Sequence, residues 1–391
     1  MSVPGNYGGM DQGDQEKLRL CFISNPNLIH TRRWVSWFHQ HGHQVYLLAD
    51  VPLKEPWAEV PVVDLSKLFY VRFVRFVYWS LWIKRFLKQW RPDVLHAHRI
   101  NSAGWMAAAS GFHPYVVTPW GLDIFTQPER SLVAGLLARF VLTNADLVTT
   151  LSNTMSEQAE RLGAKTDHIC TVQFGVELDI FKPEPDNGTE LVELRKSLAI
   201  PDHAKVVLSP RAITPLYNID IILKSIPIIL QHVPEATFVF LDYNTDLEYK
   251  KQLVLVIHDL SIEAAVRWLP PTRSRIEMAK LYRMSDVVVS VPSTDGTPVS
   301  VLEAMASGKP VISTDLPPLR EFITNGENGL LVPVRQTSQV AESIIELLQQ
   351  PAQAAEFGRK AHQVVTEKAN SEVEMQRMEA IYYQLVKSRG R

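Results

Sequence analysis

The sequence predicts an α/β protein built from two doubly wound parallel sheets, and three features predict it. At 391 residues with 46% apolar content the chain exceeds what one hydrophobic core usually supports, so roughly two domains of about 150 to 200 residues are expected. Short β-branched runs alternate with helical patterns along the first half, as helices on both faces of a parallel sheet require. The alternation stops at a turn-rich stretch and then begins again.

In order, the first series is LRLCFIS (18–24), a helix from Thr31, QVYLLA (44–49), DVLHAH (93–98), YVVTPW (115–120) and DLVTTLS (146–152). The stretch PEPDNGTE (183–190) then packs turn formers, acids and two prolines together and marks the domain boundary. The second series is KVVLSPR (205–211), ATFVFLD (236–242), AVRWLP (265–270), VVVSVPS (287–293), PVISTD (310–315) and GLLVPV (329–334). From Gln336 onward the pattern is helical only. The organisation expected is a disordered tail over 1–17, a first domain over 18–185, a linker over 186–204, a second domain over 205–370, and a helix over 371–391 packing back on the first domain.

Composition removes several function classes. A formal charge of −2 and the absence of a basic tail argue against a nucleic-acid partner. Cys21 and Cys170 are the only cysteines, each in an apolar strand-like run, so no disulfide framework or cysteine metal site is expected and a reducing, cytoplasmic setting is. The opening MSVPGNYGGMDQGDQEK lacks an apolar core for a signal peptide, and no run reaches the roughly 18 apolar residues of a spanning helix.

The most informative segment is VVVSVPSTDGTPVSVLEAMASGKP (287–310): a buried strand, a tight polar loop, then a helix. Asp295 lies in the loop and Glu303 on the second turn of the helix, so two carboxylates could hold different parts of one ligand while first-turn N–H groups attract an anion between them. A sugar nucleotide meets those demands. Gly296 allows close backbone approach, Pro298 suits the first helical position, and Ser300 offers a hydroxyl. Taken singly, Asp295 also fits a helix N-terminal acid and Glu303 a solvated helix face.

Ligands of open parallel sheets bind beyond the carboxyl ends of the strands, so the other loops of interest are those after strands. After the first strand come Asn25, His30 and Arg33, without a GxGxxG dinucleotide fingerprint; His30 and Arg33 fit a plain helix start equally well. Further on come His96 and His98, then Trp120 and Asp123. Strand alternation puts the two histidines on one face, where at least one is expected to be a buried, hydrogen-bonded side chain. No third ligand accompanies HxH at a metal-binding spacing. Arg211, ending LSPR, could meet a phosphate with its planar fork, although an arginine at a strand end is more often solvated.

Together IHTRRW, DVLHAH, ADLVTTLS with SNTMSEQ, QFGVELDIFKP, LSPR and above all DGTPVSVLEAMASGKPVIST resemble the retaining GT-B glycosyltransferases of family four. The resemblance spans nearly the whole chain. It implies two facing Rossmann-like domains, a nucleotide-sugar donor held mainly by the second, an acceptor held mainly by the first, and no metal or cofactor. It places Asp295 on the donor sugar, Glu303 on the ribose, Arg211 on the phosphates, and the backbone of Gly296, Thr297, Pro298 and Val299 against the sugar, Pro298 having no N–H to donate. Asn25 and His30 are expected to assist the donor, and Arg33, His98, Trp120 and Asp123 to line the acceptor cleft. The base pocket is placed around 269–272 and Tyr282. Retention is expected by front-face displacement, the leaving diphosphate oxygen taking the acceptor proton.

Three departures stand out. Asp295 replaces the family's usual Glu, which shortens the reach by one methylene. The family's lysine after the arginine falls near Leu216 or Tyr217, and its loop histidine falls on Trp120.

The segment between Ser66 and Arg91 holds seven basic residues, nine aromatics and no acid. A crossover helix with snorkelling basic tips explains such a segment, and so does contact with an anionic membrane. The expected function is therefore sugar transfer from a nucleotide-diphosphate donor to an envelope glycan or lipid-linked acceptor, at the inner face of the membrane. The alternatives are a nucleotide-sugar epimerase of the same fold and a non-catalytic nucleotide-sugar-binding homologue.

Overall fold

The computed structural model describes residues 16–68, 75–184, 189–270, 274–296 and 298–389. The expected tail up to residue 15, Arg72, Thr272 and Thr297 lie outside the described residues, as does the side chain of Arg75. The chain divides into two compact units, Met1–Phe174 with Glu372–Arg391 and Gly175–Ser371.

The first unit holds a parallel sheet of β1 (Arg19–Ser24), β2 (Gln44–Ala49), β3 (Val62–Asp64), β4 (Val94–His98), β5 (Tyr115–Thr118), β6 (Leu147–Thr150) and β7 (Ile169–Thr171). Their order is β3-β2-β1-β4-β5-β6-β7. The five long strands lie where β-branched runs predict them. β3 was not anticipated and β7 only as the apolar run around Cys170, because three residues are too few to show a period. The helix expected from Thr31 begins two residues earlier, at Ile29.

The last helix, Ser371–Arg389, packs on the first unit through its side chains. Its Tyr382 hydroxyl meets His96 Nδ1 at 2.5 Å, His43 Nε2 meets Glu379 at 2.7 Å, and Glu374 accepts from the Gln173 backbone N–H at 2.7 Å. The polar groups that the helix buries are thus matched to polar groups of the first unit.

The second unit holds β8 (Lys205–Ser209), β9 (Ala236–Leu241), β10 (Val266–Leu269), β11 (Val287–Ser290), β12 (Val311–Thr314) and β13 (Leu330–Val332), all parallel, in the order β10-β9-β8-β11-β12-β13. Alternate residues of each central strand enter different cores: Val207, Phe238, Phe240, Val287 and Val289 one, Val206, Leu208, Val239 and Val288 the other. Both faces are therefore covered, which is why these strands read as unbroken apolar runs.

The units part after Phe174, ahead of the turn-rich stretch from which the sequence places the boundary, so 175–204 belong with the second unit. Val176 donates to Ala369 and accepts from Ser371, and Phe181 is buried in the second core. Proline and acid clusters mark a loop; they do not say on which side of it the long-range contacts change.

Helix Pro351–Lys368 packs on helix Val299–Ala306 through a close backbone approach. A methyl on Gly358 would overlap the carbonyl of Gly308, which itself ends the shorter helix with φ +70°. Gly358→Ala is expected to cost the second unit about 2–4 kcal/mol by forcing the two helices apart. Thermal melting checks this, and an unchanged midpoint would contradict it.

Candidate functional site

The strand order places β8 between β9 and β11, so the chain leaves β8 toward one side while β11 returns on the other. The loops following β8 and β11 therefore splay around the point where open α/β sheets bind ligands. Arg211 comes from the first of these loops and Asp295 from the second.

Arg211 is only 7% exposed. Its Nη2 donates to Asp295 Oδ2 at 2.7 Å, its Nη1 donates to Ser300 Oγ at 2.8 Å, and its guanidinium lies 4.1 Å from the Tyr217 ring centre. Burial by itself would favour the neutral form, but the charge of Asp295, aided by Tyr217 and Tyr243, outweighs it and holds the group above the ordinary arginine range. The solvated strand-end arginine is thus excluded. Asp295 also accepts from the Gly296 backbone N–H at 2.8 Å.

Glu303 sits on helix Val299–Ala306, which is buried almost all round because Val301, Leu302, Ala304, Met305 and Ala306 all face packed side chains. Its carboxylate is consequently buried, not on a solvated face. Arg275 Nη2 lies 3.2 Å from Oε1, and the Tyr282 hydroxyl donates to Oε2 at 3.1 Å. Burial, then the neighbouring Glu303 charge, pushes the Tyr282 phenol well up, so it stays a donor. The same hydroxyl lies 2.9 Å from the Ser300 carbonyl. Ser300 thereby joins the two halves, its hydroxyl on the Arg211–Asp295 side and its carbonyl on the Tyr282–Glu303 side.

The helix starts one residue later than anticipated: Pro298 is the N-cap (φ −77°, ψ 89°), with Val299 the first helical residue. No described side chain caps the end, so the dipole and first-turn N–H groups remain available to an anion.

Asn218 was not anticipated. It is fully buried at φ +50°, begins helix Ile219–His232, and its Nδ2 donates to the Val291 carbonyl at 2.8 Å and Ser293 Oγ at 2.9 Å. It latches the loop before Asp295 to the helix after Arg211. Asn218→Ala is expected to destabilise the unit by about 2–4 kcal/mol, from an unpaired buried carbonyl and a left-handed backbone without its asparagine. Asn218→Gly should recover the backbone part, and melting of the two variants measures the difference. Arg275, the other unanticipated residue, is signalled in sequence only by the Ser274–Glu277 capping box beside it. Its link to Glu303 is tertiary.

In the first unit the predicted residues gather at the carboxyl ends of β1, β4 and β5. His30 stacks on Phe174 (4.7 Å, 2°) and meets Trp120 edge-on, while Arg33 reaches the Phe174 carbonyl. His96 is the hydrogen-bonded core histidine, its other nitrogen 2.6 Å from Thr118 Oγ1. His98 is fully buried among Phe22, Trp34 and Trp120, and among the described residues neither ring nitrogen has a hydrogen-bond partner. Burial, helped by the Arg99 charge, lowers its pKa to about 3, so it is neutral at physiological pH. Asn25 accepts from the Asn27 N–H in a local turn. Asp123 accepts from the backbone N–H groups of Ile100, Trp120 and Gly121, an arrangement that shapes the loop. Among the described residues no group of three or more His, Cys, Asp or Glu side chains could hold a metal ion.

Residues 192–364 match the family model for glycosyl transferases group 1, and residues 19–152 match that for glycosyl transferase 4-like proteins. Both matches are to glycosyltransferase families and together they span most of the chain, whose two parallel-sheet units are those of the GT-B fold. Curated relatives include the D-inositol 3-phosphate glycosyltransferases of Thermobispora bispora (28% identical, 68% of this chain and 64% of the relative) and Corynebacterium aurimucosum (25%, 69% and 66%). The chain spans about two thirds or slightly less of the length of these relatives. Similar solved structures include a glycosyltransferase from Rickettsia africae (TM-score 0.81, 14% identical, 95% of this chain and 100% of that one). Sucrose-phosphate synthase from Thermosynechococcus elongatus is another (0.79, 18%, 95% and 100%). The Anabaena protein Alr3699/HepE, solved with UDP-glucose, is a third (0.78, 16%, 94% and 100%).

Proposed function

We propose that this protein transfers a glycosyl group from a nucleoside-diphosphate sugar to a glycan or lipid-linked acceptor of the cell envelope, with retention at the anomeric carbon and without a metal ion. The observation that carries the reading is the buried Arg211 bridging Asp295 and Ser300 at the switch point of the second sheet. A guanidinium fixed there can turn its donors to a diphosphate, freeing Asp295 for the sugar hydroxyls. Glu303, oriented by Tyr282 and Arg275, suits the ribose.

In the reaction the bond from the anomeric carbon to the diphosphate oxygen breaks. The acceptor oxygen bonds to that carbon from the same face, and the acceptor proton passes to the departing oxygen. Charge builds on the diphosphate, so Arg211 and the N–H groups opening helix Val299–Ala306 stabilise the transition state more than the ground state. The lysine that the family resemblance implies falls near Leu216 or Tyr217, neither of them a cation, so the leaving group has one positive partner fewer and depends more on Arg211.

We assign the acceptor to the first unit, where Trp120 and Phe174 form an aromatic wall beside His30. A lipid-linked acceptor implies peripheral contact with an anionic membrane through 66–91. Among the described residues no helix is long and apolar enough to cross one. The relatives' names offer D-inositol 3-phosphate as an alternative acceptor. A mass-spectrometric screen of nucleotide sugars, with and without chelator, tests the proposal. Chelator-resistant consumption of one donor is expected. A donor interconverted to its epimer, or bound without turnover, would overturn it.

A further inference from the structure

Two helices of the first unit hold large apolar side chains in solvent, and on each these share one face. On Leu132–Asn144, Leu132 is 88% and Leu136 67% exposed, with Val133 and Phe140 beside them, while Ala138, Val141 and Leu142 on the opposite side are buried. Arg139 is the only charged residue of this helix. On Arg75–Trp90, Val77 and Leu81 are 64% and 63% exposed and Tyr78 is also exposed, with Trp79, Ile83 and Leu87 buried behind them.

Helical spacing continues that second face into Lys84, Arg85 and Lys88, all exposed. No acid occurs between Asp64 and Asp93. Both helices pack on helix Ser102–Ser110, and a cavity of about 290 Å³ lies between them, lined by Phe76, Trp105, Pro128, Ala134 and Leu137.

Apolar surface of this extent marks a contact of some kind. A second copy of the chain would set these cations against their own kind. An anionic bilayer supplies both complements, headgroup phosphate for the lysines and arginine and hydrocarbon for the leucines and phenylalanine.

We propose that the two helices form one membrane-seating face, with Leu132–Asn144 the element that inserts and Arg75–Trp90 the element that meets anionic headgroups. The inference rests on the lipid-linked acceptor proposed above and adds the segment that enters the lipid, outside the basic run that the sequence singles out. The inserted face places the cavity within reach of an aliphatic chain.

Flotation of the full chain with phosphatidylcholine vesicles, with and without phosphatidylglycerol, tests it. Wild type should float with the anionic vesicles and largely stay behind with neutral ones. Leu132→Ser with Leu136→Ser should weaken binding about tenfold or more at every salt concentration, since four-carbon side chains leave the bilayer. Lys84→Gln, Arg85→Gln and Lys88→Gln together should abolish the anionic preference and its salt dependence. Unchanged flotation of the leucine variant overturns the proposal, as does a wild-type chain that binds neither vesicle. A wild-type dimer that the leucine changes dissociate would assign the face to a second copy and overturn it equally. Donor hydrolysis in solution should be unaltered in both variants, so its absence in wild type would count against the transferase reading and not against this one.

Discussion

Arg211→Ala is expected to lower kcat for sugar transfer by about a thousandfold or more, roughly 4 kcal/mol of transition-state stabilisation, as removal of a preorganised charge from a dry site does. The guanidinium is held at this position before any ligand arrives, by Asp295, Ser300 and the Tyr217 ring, so it need only exchange Asp295 for the diphosphate when the donor binds and is then in place as the leaving group gains charge. The same change leaves Asp295 without its cation, and breaking a buried ion pair costs up to about 3–5 kcal/mol, so the melting temperature should fall as well. Arg211→Lys separates the two effects: it keeps the charge near Asp295 but cannot serve a carboxylate, a hydroxyl and a diphosphate through one planar fork. Single-turnover transfer by the lysine variant should lie between wild type and alanine, with stability largely kept. Wild-type turnover in Arg211→Ala would remove the residue from the chemistry.

Glu303→Ala should act chiefly on binding. With its carboxylate gone, the ribose loses an acceptor and Arg275 and Tyr282 lose their shared partner, worth about 2–3 kcal/mol or roughly a hundredfold in donor affinity. The interaction is far from the bond being broken, so KM should rise much more than kcat falls. A large drop in kcat at unchanged KM would place Glu303 at the reacting carbon instead. Arg275→Ala, which removes one of the groups that orient Glu303, should reproduce part of the affinity loss.

The architecture was legible because parallel strands buried on both faces become runs such as VVVS and ATFVFL, which no surface segment imitates. The three-residue β3 and β7 were not, whereas the equally short β13 was, inside GLLVPV; the domain boundary was read from turn formers although the switch of contacts occurs at Phe174 and Gly175. At the candidate site, Asp295, Gly296 and Ser300 could be read together because one short loop and helix carry them. Arg211 could be suspected, and its burial depends on a loop 84 residues away. Asn218 and Arg275 could not be read, since each acts through a partner far along the chain, Val291 and Glu303 respectively. In HAH, alternation rightly put both histidines on one face, but only packing against Tyr382 and Thr118 distinguishes the paired His96 from His98, whose ring nitrogens have no partner among the described residues.

Asp295 and Glu303 are expected to hold opposite ends of one donor. Isothermal titration with the nucleotide sugar identified by the donor screen and with its bare nucleoside diphosphate tests this most directly, on Asp295→Asn and Glu303→Gln, which change charge with little change of volume. Asp295→Asn should weaken the nucleotide sugar at least tenfold more than the nucleoside diphosphate, whereas Glu303→Gln should weaken both alike. Equal losses for the two ligands in Asp295→Asn, or a loss confined to the nucleotide sugar in Glu303→Gln, would contradict it.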